Sequence, residues 1–538
     1  MLTCVTALLL LALVLALAWW GCGTRRARTP GPLPPGPTPL PLLGNLLQLE
    51  SGRLDRALME LSGRWGPVFT VWLGPRPAVV LCSYAALRDA LVLQADTFSG
   101  RGAMAVFERF TRRNGILFSN GQRWRTLRNF TLGALKEFGV GTRTIEERVL
   151  EEAVCLLDEF QATAGAPLNP RQLLDNAVAN VICSVVFGHR YGYTDPEFRR
   201  LLDLFHDNFR IMSSRWGEIY NIFPSLLDWI PGPHHRIFGN FTELRVFISE
   251  QIQRHRQTRQ PEVARDFIDC FLAQMDKEQQ DPESHFQRET LVMTTHNLFF
   301  GGTETTSTTL RYGLLILVKY PEVAAKVQAE LDAVVGRAHA PRLEDRARLP
   351  YTNAVLHEIQ RFISVLPLGL PRALTRDAHL HGHFLPKSTF VIPLLASSHR
   401  DPTQFKDPDC FNPTNFLDDK GEFQSNDAFM PFALGMRLEG EDRPGLSQVH
   451  GREEGEGLTV LLHPQESGCA WAQAWRARRS SSSLPPSCKG STCSLWGARP
   501  ISTSPRSALA WATCPQYSSS AWWPAEACPP PHTLNKSP

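Results

Sequence analysis

Five consecutive residues near the middle of the chain combine bare backbone with an acid and a hydroxyl. Gly301 and Gly302 are followed by Thr303, and then by Glu304 and Thr305. A buried carboxylate beside a hydroxyl can relay protons, so the last two residues are a candidate catalytic pair. Each glycine costs about 1 kcal/mol relative to alanine inside a helix. A large flat group lying against the backbone would justify that cost; the alternative is a glycine kink with a glutamate that reaches solvent.

Three further groups of residues have spacings that suit binding or ion pairing. Trp124 and Arg128 lie one helical turn apart, where an indole N–H and a guanidinium can hold a carboxylate, although a cation–π or surface pair is the alternative. Glu358 and Arg361 form an i,i+3 acid–base pair, a pattern that is also common on solvated surfaces. An apolar loop, LPLGLPR, ends in the cation Arg372, or is a plain turn.

The elements that must position these residues are predicted to be mainly helical. Residues 291–310, LVMTTHNLFFGGTETTSTTL, have apolar side chains on every side, which predicts a long buried helix that Pro321 ends. A short helix is expected at 54–65, before the strands VFTVWLG and AVVLC. Helical patterns dominate from 84 to about 336, and a second strand region lies between 367 and 395. The predicted fold class is mainly α with small β-sheets.

The beginning of the chain predicts a single transmembrane anchor. Residues 1–24 carry no charged side chain, and 2–20 form an apolar run long enough to span a bilayer. Three arginines between 25 and 28 place the remainder on the cytosolic side. No signal-peptide cleavage pattern is clear, so the anchor is expected to stay. Residues 25–45, rich in proline and glycine, are expected to form a stiff hinge.

The overall composition limits the classes of partner. The chain has 538 residues and a formal net charge of +3, a near balance that gives no support to nucleic-acid binding. Its 12 cysteines include no CxxC pair and no metal-ligand spacing, so neither a zinc site nor a disulfide scaffold is indicated.

Taken in order, these motifs resemble those of one family, the microsomal cytochromes P-450 of vertebrate family two, which are haem-thiolate monooxygenases. The motifs are the anchor, LPPGP (33–37), FSGRG (98–102), WxxxR (124–128), GGTETT (301–306), ExxR (358–361), FNPxxF (411–416) and FMPFALG (429–435). The resemblance covers residues 1–435, and the ordered set is far more specific than any single motif. It implies a cytochrome P-450 catalytic domain over 46–435 with haem as its cofactor.

The resemblance also implies a role for each candidate residue. Glu304 and Thr305 are expected to deliver protons to bound dioxygen. Glu358 and Arg361 are expected to lock the core to the loop before the haem ligand, with Asn415 at a third position that is usually basic. The expected haem contacts are Trp124, Arg128, Gly301, Gly302, Arg372 and Phe432. The expected apolar substrate pocket is lined by Phe107, Phe205, Phe209, Asn297, Phe299, Val365, Leu366 and Leu368.

The sequence departs from the family at its iron ligand. The family's loop reads FxxGxRxCxG, but here the cysteine position is Glu439 and the last glycine is Glu441. No thiolate is therefore expected to ligate the metal. All 30 phenylalanines lie before residue 436, and residues 436–538 show no sustained amphipathic pattern, so this tail is expected to be unrelated to the family and disordered.

A shift of reading frame explains the departure. Residues 465–476 read QESGCAWAQAWR, and the neighbouring frame allows GKRVCLGPGLA, which resembles the family's haem loop. Residues 436 to about 464 are then read-through of non-coding sequence, and Cys469 is a product of the wrong frame.

Two hypotheses of different class follow. The first is a monooxygenase of small apolar substrates, of xenobiotic or lipid type, in the endoplasmic reticulum membrane. Its implied partners are membrane lipid and an NADPH-dependent flavoprotein reductase that docks near Arg123, Arg125 and Arg128, with a cytochrome b-type donor as a second electron source. The second hypothesis is a catalytically inactive, membrane-anchored remnant that lacks the haem thiolate.

Overall fold

The computed structural model describes residues 11–14, 33–49, 53–138, 143–260, 263–337 and 340–432. This part of the chain is mainly helical with two small sheets, which confirms the predicted fold class. Its helices are α1 Leu54–Trp65, α2 Tyr84–Arg88, α3 Ala105–Thr111, α4 Gly121–Glu137, α5 Arg143–Ala162, α6 Arg171–Val186, α7 Pro196–Met212, α8 Arg215–Ile222, α9 Pro224–Leu227, α10 His234–Thr258, α11 Phe267–Lys277, α12 Arg288–Lys319, α13 Pro321–Val334, α14 Pro350–Ile363 and α15 Leu395–His399.

The strands are short, and all except β3 occur in the two regions that the sequence predicted. They are β1 Val68–Leu73, β2 Arg76–Leu81, β3 Gly100–Arg101, β4 Arg372–Ala373, β5 Ala378–Leu380, β6 His383–Leu385 and β7 Phe390–Pro393. One sheet has the order β1-β2-β7-β4-β3, and β5 and β6 form the other. Strands β3 and β4 are antiparallel, and Arg101 stands opposite Arg372.

Helix α12 is the predicted buried helix, and it is 32 residues long. Helices α6, α10 and α14 pack against it, so its side chains are buried along most of its length. Two of its threonines donate to carbonyl oxygens one turn earlier, Thr294 to Thr290 at 2.8 Å and Thr309 to Thr305 at 2.8 Å. These bonds satisfy hydroxyl groups that have no access to water. The helix ends at Lys319, and Pro321 opens α13.

The described part of the predicted hinge lies against the first strand of the sheet. The backbone N–H of Thr70 donates to the carbonyl of Pro35 at 3.0 Å, and that of Asn45 donates to Trp72 at 2.7 Å. Gly36 fits this approach because a Cβ atom there would lie 1.9 Å from the Thr70 oxygen. Residues 33–45 are therefore fixed to the body of the protein.

The predicted anchor and tail fall largely outside the described residues. Residues 11–14 are helical, and the rest of 1–24 lies outside the described ranges. Among the helices that the structure describes, none is sufficiently long and apolar to cross a membrane. The predicted tail, 436–538, and Glu439 within it also lie outside the described ranges.

Glu358 and Arg361 form a fully buried ion pair on α14. Both side chains have 0% exposure, and two N–H···O bonds of 2.7 Å join them. The guanidinium also donates to three carbonyl oxygens, those of His399, Pro408 and Cys410. The carboxylate accepts from the backbone N–H of Asn412 at 2.7 Å and from the Asn415 side chain at 3.5 Å. The pair thus joins α14 to the segment 399–415, which carries no regular helix longer than one turn.

Removing the cation should destabilise the fold strongly. We expect Arg361→Leu to lower the free energy of unfolding by about 3–5 kcal/mol, because Glu358 would stay buried without its partner. The exposed pair Arg200–Glu243 provides the control, and Arg200→Ala should cost below about 1 kcal/mol. Urea unfolding of the three proteins measures both changes. Similar losses in the two variants would contradict the structural role of the buried pair.

Candidate active site

The predicted acid and hydroxyl lie on α12 where the helix is not fully covered. Glu304, Thr305 and Gly301 are half-buried, and Gly302 is buried. The Thr305 hydroxyl donates to the Gly301 carbonyl at 2.7 Å. This bond holds the hydroxyl proton on the helix backbone, at the same turn as the two glycines.

The Glu304 carboxylate contacts an imidazole that sequence reasoning missed. Its Oε2 atom lies 3.4 Å from Nε2 of His206 on α7, and the same Nε2 lies 3.1 Å from Oδ2 of Asp175 on α6. Burial raises the pKa of Glu304, and His206 and Arg171 offset part of that rise. Burial alone would also raise the pKa of Asp175, but His206, Ser307 and Arg171 together lower it. The His206 imidazole therefore lies between Glu304, whose raised pKa favours the protonated carboxyl, and Asp175, whose lowered pKa favours the ionised carboxylate.

The sequence held only a weak signal for this contact. His206 lies between Phe205 and Phe209 on an amphipathic helix, and a lone histidine in that position is commonly a core or surface residue. Asp175 is 31 positions earlier and Glu304 is 98 later, so only the packing of three helices joins them.

Two buried arginines stand side by side at the edge of the larger sheet. Arg101 and Arg372 occupy opposite positions of the β3–β4 pair, so their side chains project to the same face. Both are buried, and Nε of Arg372 has no hydrogen-bond partner among the described residues. Burial lowers the pKa of Arg372 to about 10. An anion at this face would satisfy the orphaned donor and the positive charge together.

The predicted Trp124 and Arg128 face each other on α4. The guanidinium carbon lies 5.8 Å from the centre of the indole ring, the geometry of a cation–π pair. Trp124 is buried and Arg128 is half-buried, and burial lowers the pKa of the guanidinium. Arg128 donates to Asn129 at 3.4 Å, a long bond to a neutral partner. Its charge is therefore available to an anion.

Two of the four phenylalanines predicted to line a pocket, Phe107 and Phe209, meet around Phe300. Its ring stacks on Phe209 with centroids 4.5 Å apart and meets the edge of Phe107 at 5.9 Å. Phe107 in turn stacks on Phe118 at 4.0 Å. Phe205 lies behind this group and contacts the ring of His296 at 5.3 Å. These rings form an aromatic surface beside α12. Phe300, which belongs to the helix itself, lies about one turn before Glu304.

The other predicted pocket residues occupy different surroundings. Phe299 is 2% exposed and packs on Phe205 in the main hydrophobic core. The Asn297 side chain oxygen accepts from the backbone N–H groups of Ile116 and Leu117, at 3.0 and 3.1 Å, and so fixes the loop after α3. The remaining three, Val365, Leu366 and Leu368, are half-buried in the non-helical segment after α14. The predicted haem contact Phe432 is half-buried at the last described position.

The fold and the site together define a mainly helical protein whose central helix carries two glycines, an acid and a hydroxyl. An aromatic surface and buried cations lie near these residues. Comparisons with known proteins give the family. The family model for cytochrome P450 matches residues 34–438. Mouse cytochrome P-450 2F2 is 53% identical over 397 residues, which cover 74% of this chain and 81% of that protein. Human cytochrome P-450 2F1 is 52% identical over the same shares, and rabbit cytochrome P-450 2B4 is 47% identical.

The chain belongs to the cytochrome P-450 family, which confirms the resemblance read from the motifs. Haem is the family's cofactor, and its members are haem monooxygenases of xenobiotic or lipid substrates. The described residues suit the anionic groups of a haem, because Arg372 has an orphaned buried donor and Arg128 forms no ion pair with another described residue.

The raised pKa of Glu304 predicts a pH-dependent effect of its substitution. A carboxyl whose pKa is raised by folding weakens stability as the pH rises above its ordinary value of 4.5. We therefore expect Glu304→Gln to stabilise the protein at pH 7, and the gain should shrink below pH 4.5. Urea unfolding at both pH values tests this. A gain that is equal at the two pH values would show that the carboxyl charge is not its cause.

Proposed function

We propose that the chain carries the site of a haem-dependent monooxygenase that inserts one atom of dioxygen into small apolar substrates. The observation that carries the proposal is the juxtaposition on α12 of the Gly301-Gly302 backbone with Glu304 and Thr305, beside the aromatic surface around Phe300. Bound haem supplies the redox chemistry that activates dioxygen. The protein groups supply binding, orientation and protons.

Trp124, Arg128 and Arg372 would hold the two haem propionates. A buried guanidinium needs an anionic partner. Arg372 is buried, and it takes part in no ion pair among the described residues. Arg128 and the indole N–H of Trp124 lie on one face of α4 and complete a set of donors suited to carboxylates. The two glycines leave the backbone of α12 open for a flat ring to approach.

Glu304 is the proton-holding group of the proposed site. Its raised pKa favours the protonated carboxyl, and its side chain keeps 27% exposure, so solvent can replace the proton. The carboxylate Oε2 lies 3.4 Å from Nε2 of His206, a contact that orients the carboxyl group. Thr305 would pass the proton on after releasing its bond to the Gly301 carbonyl.

The aromatic surface favours small, flat, apolar substrates. The stacked pairs Phe107–Phe118 and Phe209–Phe300 present ring faces and edges and bring few polar groups, so affinity would come from burial of apolar area. We place Phe205, Asn297 and Phe299 in a supporting layer, because their contacts are within the protein.

We further propose that the protein works at the endoplasmic reticulum membrane through a single N-terminal span. Electrons would come from an NADPH-dependent flavoprotein reductase, with a cytochrome b-type donor as a second source. Arg125 is exposed on α4, beside the half-buried Arg123 and Arg128, so a positive patch lies next to the proposed propionate donors. Such a patch suits an acidic partner surface.

A second candidate function is favoured by the sequence at position 439. A carboxylate from Glu439 is a harder ligand than a thiolate and lacks its electron donation to iron. We therefore propose that oxygen insertion depends on a cysteine at this position, and that the chain as it stands is a membrane-anchored haem protein without thiolate chemistry. Residues 436–538 are then the out-of-frame tail.

Loss of the Arg372 guanidinium should weaken haem retention. We expect Arg372→Leu to release haem to a haem-scavenging protein about tenfold faster, because a charged hydrogen bond of roughly 1.5–3 kcal/mol is lost. The exposed neighbour Arg376 supplies the control, and Arg376→Leu should leave the rate unchanged. Equal rates for the unsubstituted protein and Arg372→Leu would remove Arg372 from the haem site.

The carbon monoxide spectrum of the reduced full-length protein tests whether a thiolate would bind the haem iron. We expect no absorption band of thiolate-ligated haem in the unsubstituted chain and a measurable band in Glu439→Cys. Glu441→Cys, which places a cysteine two positions away, is the matched control and should lack the band. A thiolate band in the unsubstituted chain would overturn the second candidate.

A further inference from the structure

His296 is a buried imidazole with no polar partner. It lies on α12, five residues before Gly301, and is only 1% exposed. Neither Nδ1 nor Nε2 has a hydrogen-bond partner among the described residues. Buried polar side chains in folded proteins almost always have a partner, so an imidazole with none calls for a ligand or a functional reason.

Four phenyl rings from four helices enclose this imidazole. The ring centroids lie 4.8 Å away for Phe110 on α3, 5.3 Å for Phe205 on α7, 5.6 Å for Phe241 on α10 and 5.8 Å for Phe300 on α12. A hydrocarbon side chain of similar size would fill this box without leaving two nitrogens unsatisfied.

The imidazole is neutral in this box. Burial and the charge of Arg245 lower the pKa of His296 to about 3. The guanidinium carbon of Arg245 lies 5.6 Å from the centre of the Phe110 ring. A neutral imidazole offers one N–H donor and one acceptor nitrogen, so it can bind a group that is neutral and polar.

Phe300 separates His296 from the rest of the aromatic surface. Its ring stacks on the imidazole and also contacts Phe209 and Phe107. Unlike the imidazole, Phe300 is only half-buried. A rotation of this one side chain would therefore expose the His296 nitrogens to a molecule bound against Phe107 and Phe209.

We propose that His296 is a specificity-determining contact that selects aromatic ligands carrying one neutral hydrogen-bonding group, such as a phenol hydroxyl. This inference rests on the proposed substrate pocket, and it names which apolar molecules the pocket prefers. The phenyl rings bind the hydrocarbon part of the ligand, and the imidazole binds its polar atom. A hydroxyl suits it because a hydroxyl can donate to one nitrogen or accept from the other.

The test compares two ligands that differ by one hydroxyl, biphenyl and 4-phenylphenol. Their dissociation constants are measured by ligand fluorescence on the full-length protein and on His296→Leu. We expect the preference for 4-phenylphenol over biphenyl to fall about tenfold in the variant, equivalent to about 1.4 kcal/mol. Hydration of the free ligands cancels in this comparison, because the same two ligands are used with both proteins.

Thr295→Val is the matched control. Thr295 is the neighbouring residue on α12 and is also fully buried, with a hydroxyl that has no partner among the described residues. This variant should keep the preference of the unsubstituted protein. The melting temperature is a second readout, and without ligand it should rise in His296→Leu because two unsatisfied nitrogens are removed.

The outcomes separate this inference from the proposed function. If both ligands bind and His296→Leu keeps the full preference for the hydroxyl, the imidazole does not contact the ligand and the inference is wrong. A buried water on His296 would give that result. If neither ligand binds the unsubstituted protein, the proposed aromatic pocket itself is wrong.

Discussion

The structure depends on burying a long helix that is rich in polar side chains. Helix α12 carries several threonines and a histidine into the interior, where water is not available to them, together with a glutamate that is only partly covered. Each group must find a partner or leave its hydrogen bonds unmade. Thr294 and Thr309 bond back to their own helix, whereas Glu304 relies on His206 from a neighbouring helix. His296 finds only phenyl rings, which is why its position points to a ligand.

Arg361 and Arg372 are both buried, but their positive charges are accommodated in opposite ways. Arg361 is joined to a carboxylate and three carbonyl oxygens, so the protein itself stabilises its charge. Arg372 is almost as buried, yet its Nε lacks a partner among the described residues. The first arrangement serves the fold, because all of its donors are used within the chain. The second leaves a donor and a charge for an anion, which is what a binding site requires.

The family match and the sequence near position 439 lead to different conclusions about one molecule. The match extends through residue 438 and establishes the lineage. From the loop motif, the family's thiolate is predicted at the next position, where the chain has Glu439. A scaffold of helices can tolerate such a change, because its packing depends on many contacts. Thiolate chemistry cannot, because it depends on one atom.

The sequence by itself determined the fold class, the family and the extent of the central helix. Periodic apolar residues, Pro321 and ordered short motifs are local signals, and each can be read without knowledge of the rest of the chain. It also gave Glu358 and Arg361 as a pair, since their spacing fixes their contact on one helix. Only the tertiary structure decided that this pair is fully buried and that α7 brings a histidine to Glu304. Such contacts join residues far apart in sequence, and they arise only when several helices pack together.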